Sequence, residues 1–156
     1  MRSERSETRK AYAAFRVRGD ALEPSRITKI MRFVPTIAYA KGESFHAGER
    51  SGERIGRTGL WLLSTDGVVA SDNLHHHLAY ILGMLAPGRQ DMRPLTDLHG
   101  LLLRQKGLRA DLTCFWHGRR GARVPSIPRA VSETMKLIPA DIEVDFDTDA
   151  DERRSA

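Results

Sequence analysis

Along the first part of the chain, Ala13, Phe15 and Val17 alternate with Tyr12, Arg16 and Arg18. A period of two predicts a half-buried strand over 11–18. Gly19-Asp20 turns the chain, and Pro24 suits a first helical position, where its missing N–H is not needed. Ile27, Ile30 and Met31 then recur three and four apart on one face. Pro35 is expected to end this helix, because the residue before a proline is pushed out of the helical region. Residues 36–45, with Ile37 and Tyr39, predict a second strand. Residues 60–65 predict a third, whose near-continuous apolar run points to burial on both faces or to a bulge at Trp61. Between them, 42–59 is rich in Gly, Ser, Glu and Arg, with Ile55 its one aliphatic residue beyond alanine. That stretch predicts a long mobile loop.

The second part is more helical. Ser71 or Asp72 is expected to cap a helix by accepting a first-turn N–H. Leu74, Leu78, Ile81, Leu82 and Leu85 follow the helical period, with Pro87-Gly88 as the stop. Leu95, Leu98 and Leu102 predict another helix, closed by Gly107. Over 108–116, Leu108, Ala110, Leu112, Cys114 and Trp116 face one way, while Arg109, Asp111 and Thr113, with His117 just beyond, face the other. Gly118 to Arg123 is a basic turn. Pro128 starts a last helix with Val131, Met135 and Ile138 inward. Ile142, Val144 and Phe146 then alternate with Asp141, Glu143, Asp145 and Asp147. Such acids suit the outer face of an edge strand, and would pair with Arg16 and Arg18 if the first and last strands were neighbours.

The expected order is β-α-β-β-α-α-β-α-β: an α+β fold in which helices pack on one face of a largely antiparallel sheet. A ferredoxin-like arrangement with an added helix and strand is the expected topology. One domain over 11–147 is expected between flexible polar tails at 1–10 and 148–156. The 156 residues suit a single core. Residues 1–10 carry no apolar stretch and read as a tail rather than a signal peptide. No window approaches the ~20 apolar residues of a membrane helix.

Charge changes this picture little. The formal net charge of +5 is carried mainly by arginine, and the basic residues are interleaved with acids (Glu49-Arg50, Glu53-Arg54). That scatter weighs against a nucleic-acid interface, which needs a single-sign patch. One cysteine, Cys114, rules out an intrachain disulfide. It falls mid-strand on the apolar face and reads as an inert buried thiol.

No motif specifies chemistry. His75, His76 and His77 diverge by about 100° each on a helix and do not converge on one ion. None has a ligand at i+4, the spacing helical metal pairs use. The Asp145, Asp147, Asp149, Asp151 run lacks the glycine and glutamate of a calcium loop. Gly52 to Gly56 lacks the phosphate-loop pattern and leads into a strand. No catalytic residue, metal ligand or cofactor is therefore assigned. The candidate binding residues are Lys41, Glu43 and Trp61 around the long loop, with Arg119, Arg120 and Arg123 in the basic turn.

Phe15-Arg16-Val17-Arg18-Gly19, Leu22 to Thr28, Pro35-Thr36, Lys41-Gly42-Glu43, Gly59 to Ser64 and Asp141 to Asp145 occur in an order that resembles the uncharacterised bacterial family catalogued as domain of unknown function 4279. The resemblance covers roughly 11–147 and implies no activity. The expectation for function is a small cytoplasmic protein without catalysis that binds another protein, an immunity-type role being one form. Two alternatives stand beside it. One is an enzyme or metal-binding protein using Lys41, Glu43 and His46, with His117. The other is a nucleic-acid binder through the 118–123 turn and the N-terminal tail.

Overall fold

The computed structural model describes residues 6–46, 52–87 and 91–150. In chain order these form β1 (Thr8–Gly19), α1 (Pro24–Met31), β2 (Ile37–Tyr39), β3 (Ser44–His46), β4 (Glu53–Ile55), β5 (Gly59–Ser64), α2 (Leu74–Leu85), α3 (Arg93–Arg104), β6 (Arg109–Gly118), α4 (Arg129–Leu137) and β7 (Asp141–Thr148). The fold is mixed α+β. Five strands make one sheet in the order β2-β5-β1-β6-β7, and β3 and β4 pair separately.

The alternation in β1 explains its central place. Phe15 lies opposite Leu63 of β5 on one side and opposite Leu112 of β6 on the other. Both ladders are antiparallel, as is β2 on β5. β7 alone joins in parallel, along β6. One sheet face buries Ala11, Ala13, Phe15, Val17, Trp61, Leu112 and Cys114. Against it pack Ile27 and Met31 of α1, Leu78 and Ile81 of α2, Leu95 and Leu98 of α3, and Val131 and Met135 of α4. Each helix thus spends its apolar stripe on the same side of the sheet.

Several boundaries differ from expectation, each for a local reason. Thr8, Arg9 and Lys10, assigned to a tail, belong to β1. Thr8 Oγ1 accepts from the Trp116 indole N–H at 2.9 Å, and Arg9 Nε donates to Asp149 at 2.6 Å. At the other end β7 runs through Thr148, and 151–156 lie outside the described residues. The expected strand 36–45 is interrupted by a turn with Gly42 at φ +85°. The stretch expected to be a mobile loop contains the β3–β4 hairpin, closed by Gly42 N–H to Gly56 O and Gly56 N–H to Glu43 O. Its residues 47–51 lie outside the described ones. The order therefore gains two short strands.

Helix α1 ends at Met31 rather than at Pro35. Arg32 there takes the left-handed conformation (φ +66°) and its N–H closes on Thr28 O. The α2 cap is Asn73, whose side chain accepts the His75 N–H; Ser71 serves one step earlier by accepting the Asn73 N–H. β5 has neither a bulge nor two buried faces, since Trp61 and Leu63 are buried while Leu60 and Leu62 are half-exposed. β7 is separated from β1 by β6, yet Arg16 still reaches across to Glu143 at 3.4 Å.

Candidate functional site

The sheet face turned away from the helices is where the chain leaves chemistry exposed. Tyr12, Ala14, Arg16 and Arg18 of β1 point there, with Leu60 and Leu62 of β5 and Thr113, Phe115 and His117 of β6; all are half-buried. Side chains on a bare sheet shield one another partially, as these do. Tyr12 and Phe115 are directly opposite across the ladder, and their rings stack at 4.7 Å and 11°. Lys10 Nζ stands 5.5 Å over the Tyr12 ring. Ile37 lies beside Leu62 and Arg16 lies opposite Leu62 on its other side, so the face carries two apolar clusters, Ile37–Leu62 and Tyr12–Phe115, at different levels of the sheet.

Charges continue the Ile37–Leu62 level across β1 and β6. Asp111 is only 2 % exposed, and its Oδ1 accepts from Arg16 Nε at 2.6 Å. Arg18 Nε stands 3.4 Å from Oδ2, an oxygen that receives no hydrogen bond. A buried carboxylate in that state depends on its two guanidinium neighbours. One step along the ladder, Arg18 and Arg109 lie directly opposite each other, a like-charge arrangement that destabilises a sheet.

The predicted residues are distributed as follows. Lys41 is exposed and pairs with Asp20 at 3.1 Å. Asp20 is held below the ordinary carboxylate range by Lys41 first and by the Thr58 hydroxyl second. Glu43 closes its own turn, Oε2 accepting the Ala40 N–H at 3.0 Å. Trp61 has no exposed surface; its indole N–H donates to Thr28 Oγ1 at 3.1 Å and its ring packs on Phe33. Arg119 is tied to the chain's start by Nε to Ser6 O at 2.9 Å, while Arg120 and Arg123 are exposed. His46 is exposed in β3 opposite Glu53. His117 lies opposite Lys10 at the start of β1 and donates to Asp149 at 2.9 Å. That bond first, and Arg9 second, hold the Asp149 carboxyl below its ordinary range. Lys41, beyond the far end of β1, and His117, at its start, do not meet in one pocket.

The three consecutive histidines have three separate partners. His75 donates to Ser126 O at 2.9 Å, His76 bonds Ser71 Oγ at 2.7 Å, and His77 donates from Nε2 to Ser71 O at 2.6 Å. His77 Nδ1 is also 2.6 Å from Thr65 Oγ1, the spacing of a nucleophile and its base. Thr65 has no exposed surface and its oxygen accepts the Ala13 N–H at 2.9 Å. The pair therefore pins α2 to the sheet rather than meeting a substrate. Among the described residues no group of three or more His, Cys, Asp or Glu side chains is placed to hold a metal ion.

Cys114 is fully buried, and desolvation pushes its thiol up to about 11. Because the thiolate is the reactive form, the native protein at pH 8 will not react with Ellman's reagent over minutes. Denaturant will release about one equivalent of thiol; prompt reaction of the native protein would show that the strand opens.

The structure is that of an α+β domain whose mixed sheet has helices over one face and a bare, partly apolar opposite face. The chain belongs to the family described as Domain of unknown function (DUF4279), whose model matches residues 8–149. No curated protein and no solved structure matches it.

Proposed function

We propose that this protein is a non-catalytic binding module that docks another protein on its bare sheet face. The observation that carries this is the pair of half-exposed apolar clusters on this face, Ile37–Leu62 and Tyr12–Phe115, set among Arg16 and other polar side chains. Exposed aromatic and aliphatic anchors among polar groups suit a docking surface, whereas a sheet face meant only for water alternates to polar residues. No described helix is long and apolar enough to cross a membrane. A single buried cysteine suits a reducing compartment, which supports a cytoplasmic setting. The antiparallel order β2-β5-β1-β6 supports reading the core as a ferredoxin-like arrangement extended by α3, α4 and β7. An immunity-type partner is one form of this function.

The test is affinity capture of the tagged chain from nuclease-treated lysate of its own host, repeated with two variants. Phe115→Ser removes half of the aromatic stack, and Leu103→Ser alters an exposed leucine on α3, away from the face. Wild type and Leu103→Ser are expected to recover the same protein at near-equal stoichiometry. Phe115→Ser, folded by circular dichroism, is expected to recover at least about 10-fold less, since a stacked aromatic at a docking centre contributes over 1 kcal/mol. An empty capture, or equal recovery by Phe115→Ser, would sink the proposal.

A further inference from the structure

Where β1 ends, the β1–α1 turn meets the α3–β6 loop and the start of β5, and a cleft of about 520 Å³ opens there. Arg18, Lys106 and Arg109 line it, together with Asp20, Thr58 and the two glycines of the meeting loops. At Gly19 the two loops approach closely. A Cβ on Gly19 would fall 2.6 Å from the Gly107 carbonyl oxygen, so only glycine lets these loops approach so closely. Gly107 itself sits at φ +101°.

The electrostatics of the cleft are one-sided. Its one acid, Asp20, is already matched by Lys41 at 3.1 Å and receives the Thr58 hydroxyl. Arg18 is anchored by the buried Asp111 at 3.4 Å. Lys106 and Arg109 are exposed, and neither has a carboxylate partner among the described residues. Arg18 and Arg109 moreover face each other directly, an arrangement that costs stability when nothing sits between them. Cations from two separate segments, Arg18 from β1 and Lys106 with Arg109 from the α3–β6 junction, line one concave site and focus a positive potential that a single anion would neutralise.

We propose that this cleft binds a small phosphate-bearing molecule, with Arg18 and Arg109 gripping the phosphate oxygens and Lys106 supplying the third charge. Paired guanidinium forks match phosphate geometry, and an ammonium adds a point charge. The volume falls within the range of small-molecule clefts and exceeds what one inorganic phosphate fills, so an organic body accompanies the phosphate. The neighbouring recess shares Thr58 and is lined by the stacked Tyr39–Phe45 pair and by Arg54 and Arg57, which gives that body room. The cleft shares Arg18 and Arg109 with the edge of the docking face but uses none of its apolar residues, so it survives that reading's failure.

The experiment is calorimetric titration of the purified full chain with sodium pyrophosphate, and separately with citrate, at matched ionic strength. Saturable binding of pyrophosphate is expected, with citrate at least about 10-fold weaker. Arg109→Gln and Lys106→Gln should each weaken it about 10-fold or more, as loss of one charged hydrogen bond does. Lys29→Gln is the control. It changes a second cationic groove between α1 and α3, lined also by Arg26 and Arg104, and should leave affinity within about 2-fold, since it makes no contact in the cleft.

Arg109→Gln also relieves the like-charge pair, so its ligand-free melting temperature should stay level or rise by roughly 1–4 °C. Lost affinity in a protein at least as stable is a result that misfolding does not produce. Absence of saturable binding overturns the proposal. Equal loss in Lys29→Gln would reduce it to non-specific attraction, and citrate binding as tightly as pyrophosphate would replace the phosphate class by polycarboxylates.

Discussion

Replacing Phe15 with alanine will lower the melting temperature by roughly 6–20 °C, through a loss of about 3–5 kcal/mol. Phe15 has no exposed surface and sits in the middle of the central strand, opposite Leu63 on one side and Leu112 on the other. Truncation removes the ring's transfer free energy and leaves a cavity walled by two strands whose ladders hold them in place, so collapse around it is limited. A fall of this size approaches the whole stability of an ordinary domain. Thermal unfolding followed by circular dichroism measures it. A loss below about 2 °C would mean that the core rearranges around β1 far more freely than close packing allows.

Gly118→Ala should be the second most damaging of these changes, at about 3 kcal/mol. The glycine is not there for conformational freedom, because Gly118 is not among the residues with positive φ. The Trp116 indole folds back along its own strand and occupies the space a Gly118 side chain would need, with Ala122 Cβ 3.0 Å away on the same side. A methyl group there must displace a ring that is 2 % exposed. Displacement breaks the indole bond to Thr8 and the edge contact with Phe146, whose centroid lies 6.1 Å away. The start of β1 and the edge strand β7 would loosen together. Tryptophan emission should shift to the red while Trp61, at the other end of the sheet, keeps its blue component. An unshifted spectrum with wild-type melting would show that the ring has somewhere else to go.

What could be read from the chain beforehand follows from which faces are buried. β1, α2 and β6 were legible because each has one face in the core, so apolar residues recur at a regular period. β3 and β4 were not. Ser44 and His46 are exposed, as are all three residues of β4, so no apolar alternation marks them; backbone pairing and the bonds at Gly42 and Gly56 hold the hairpin. Thr8 and Arg9 extend β1 with polar side chains whose partners, Trp116 and Asp149, lie more than a hundred positions downstream. The cap at Asn73 was misplaced by one or two residues, since Ser71, Asp72 and Asn73 all carry suitable oxygens.

The sites show the same limit. Lys41 was singled out, and it stands beside the cationic cleft through Asp20. Arg18, Lys106 and Arg109 were passed over because nothing local connects them. Their convergence depends on the register that sets Arg18 against Arg109. Alternation assigned Asp111 correctly to the face away from the core, and its burial there comes from its neighbours on the sheet, not from the period. A polar outer position does not announce a buried charge.

The central place of β1 has a consequence for how the protein is made. β1 is synthesised before either strand that flanks it, and its ladder to β6 ends at Gly118. A growing chain must therefore carry β1 with both hydrogen-bonding edges open until β5 emerges, and with one open until β6 does. During that interval the stretch from Ala11 to Val17, short of charge apart from Arg16, is the segment with most reason to seek a foreign strand. Arg16 and Arg18, which later hold Asp111, are also the charges that keep this nascent strand apart from its copies on neighbouring ribosomes.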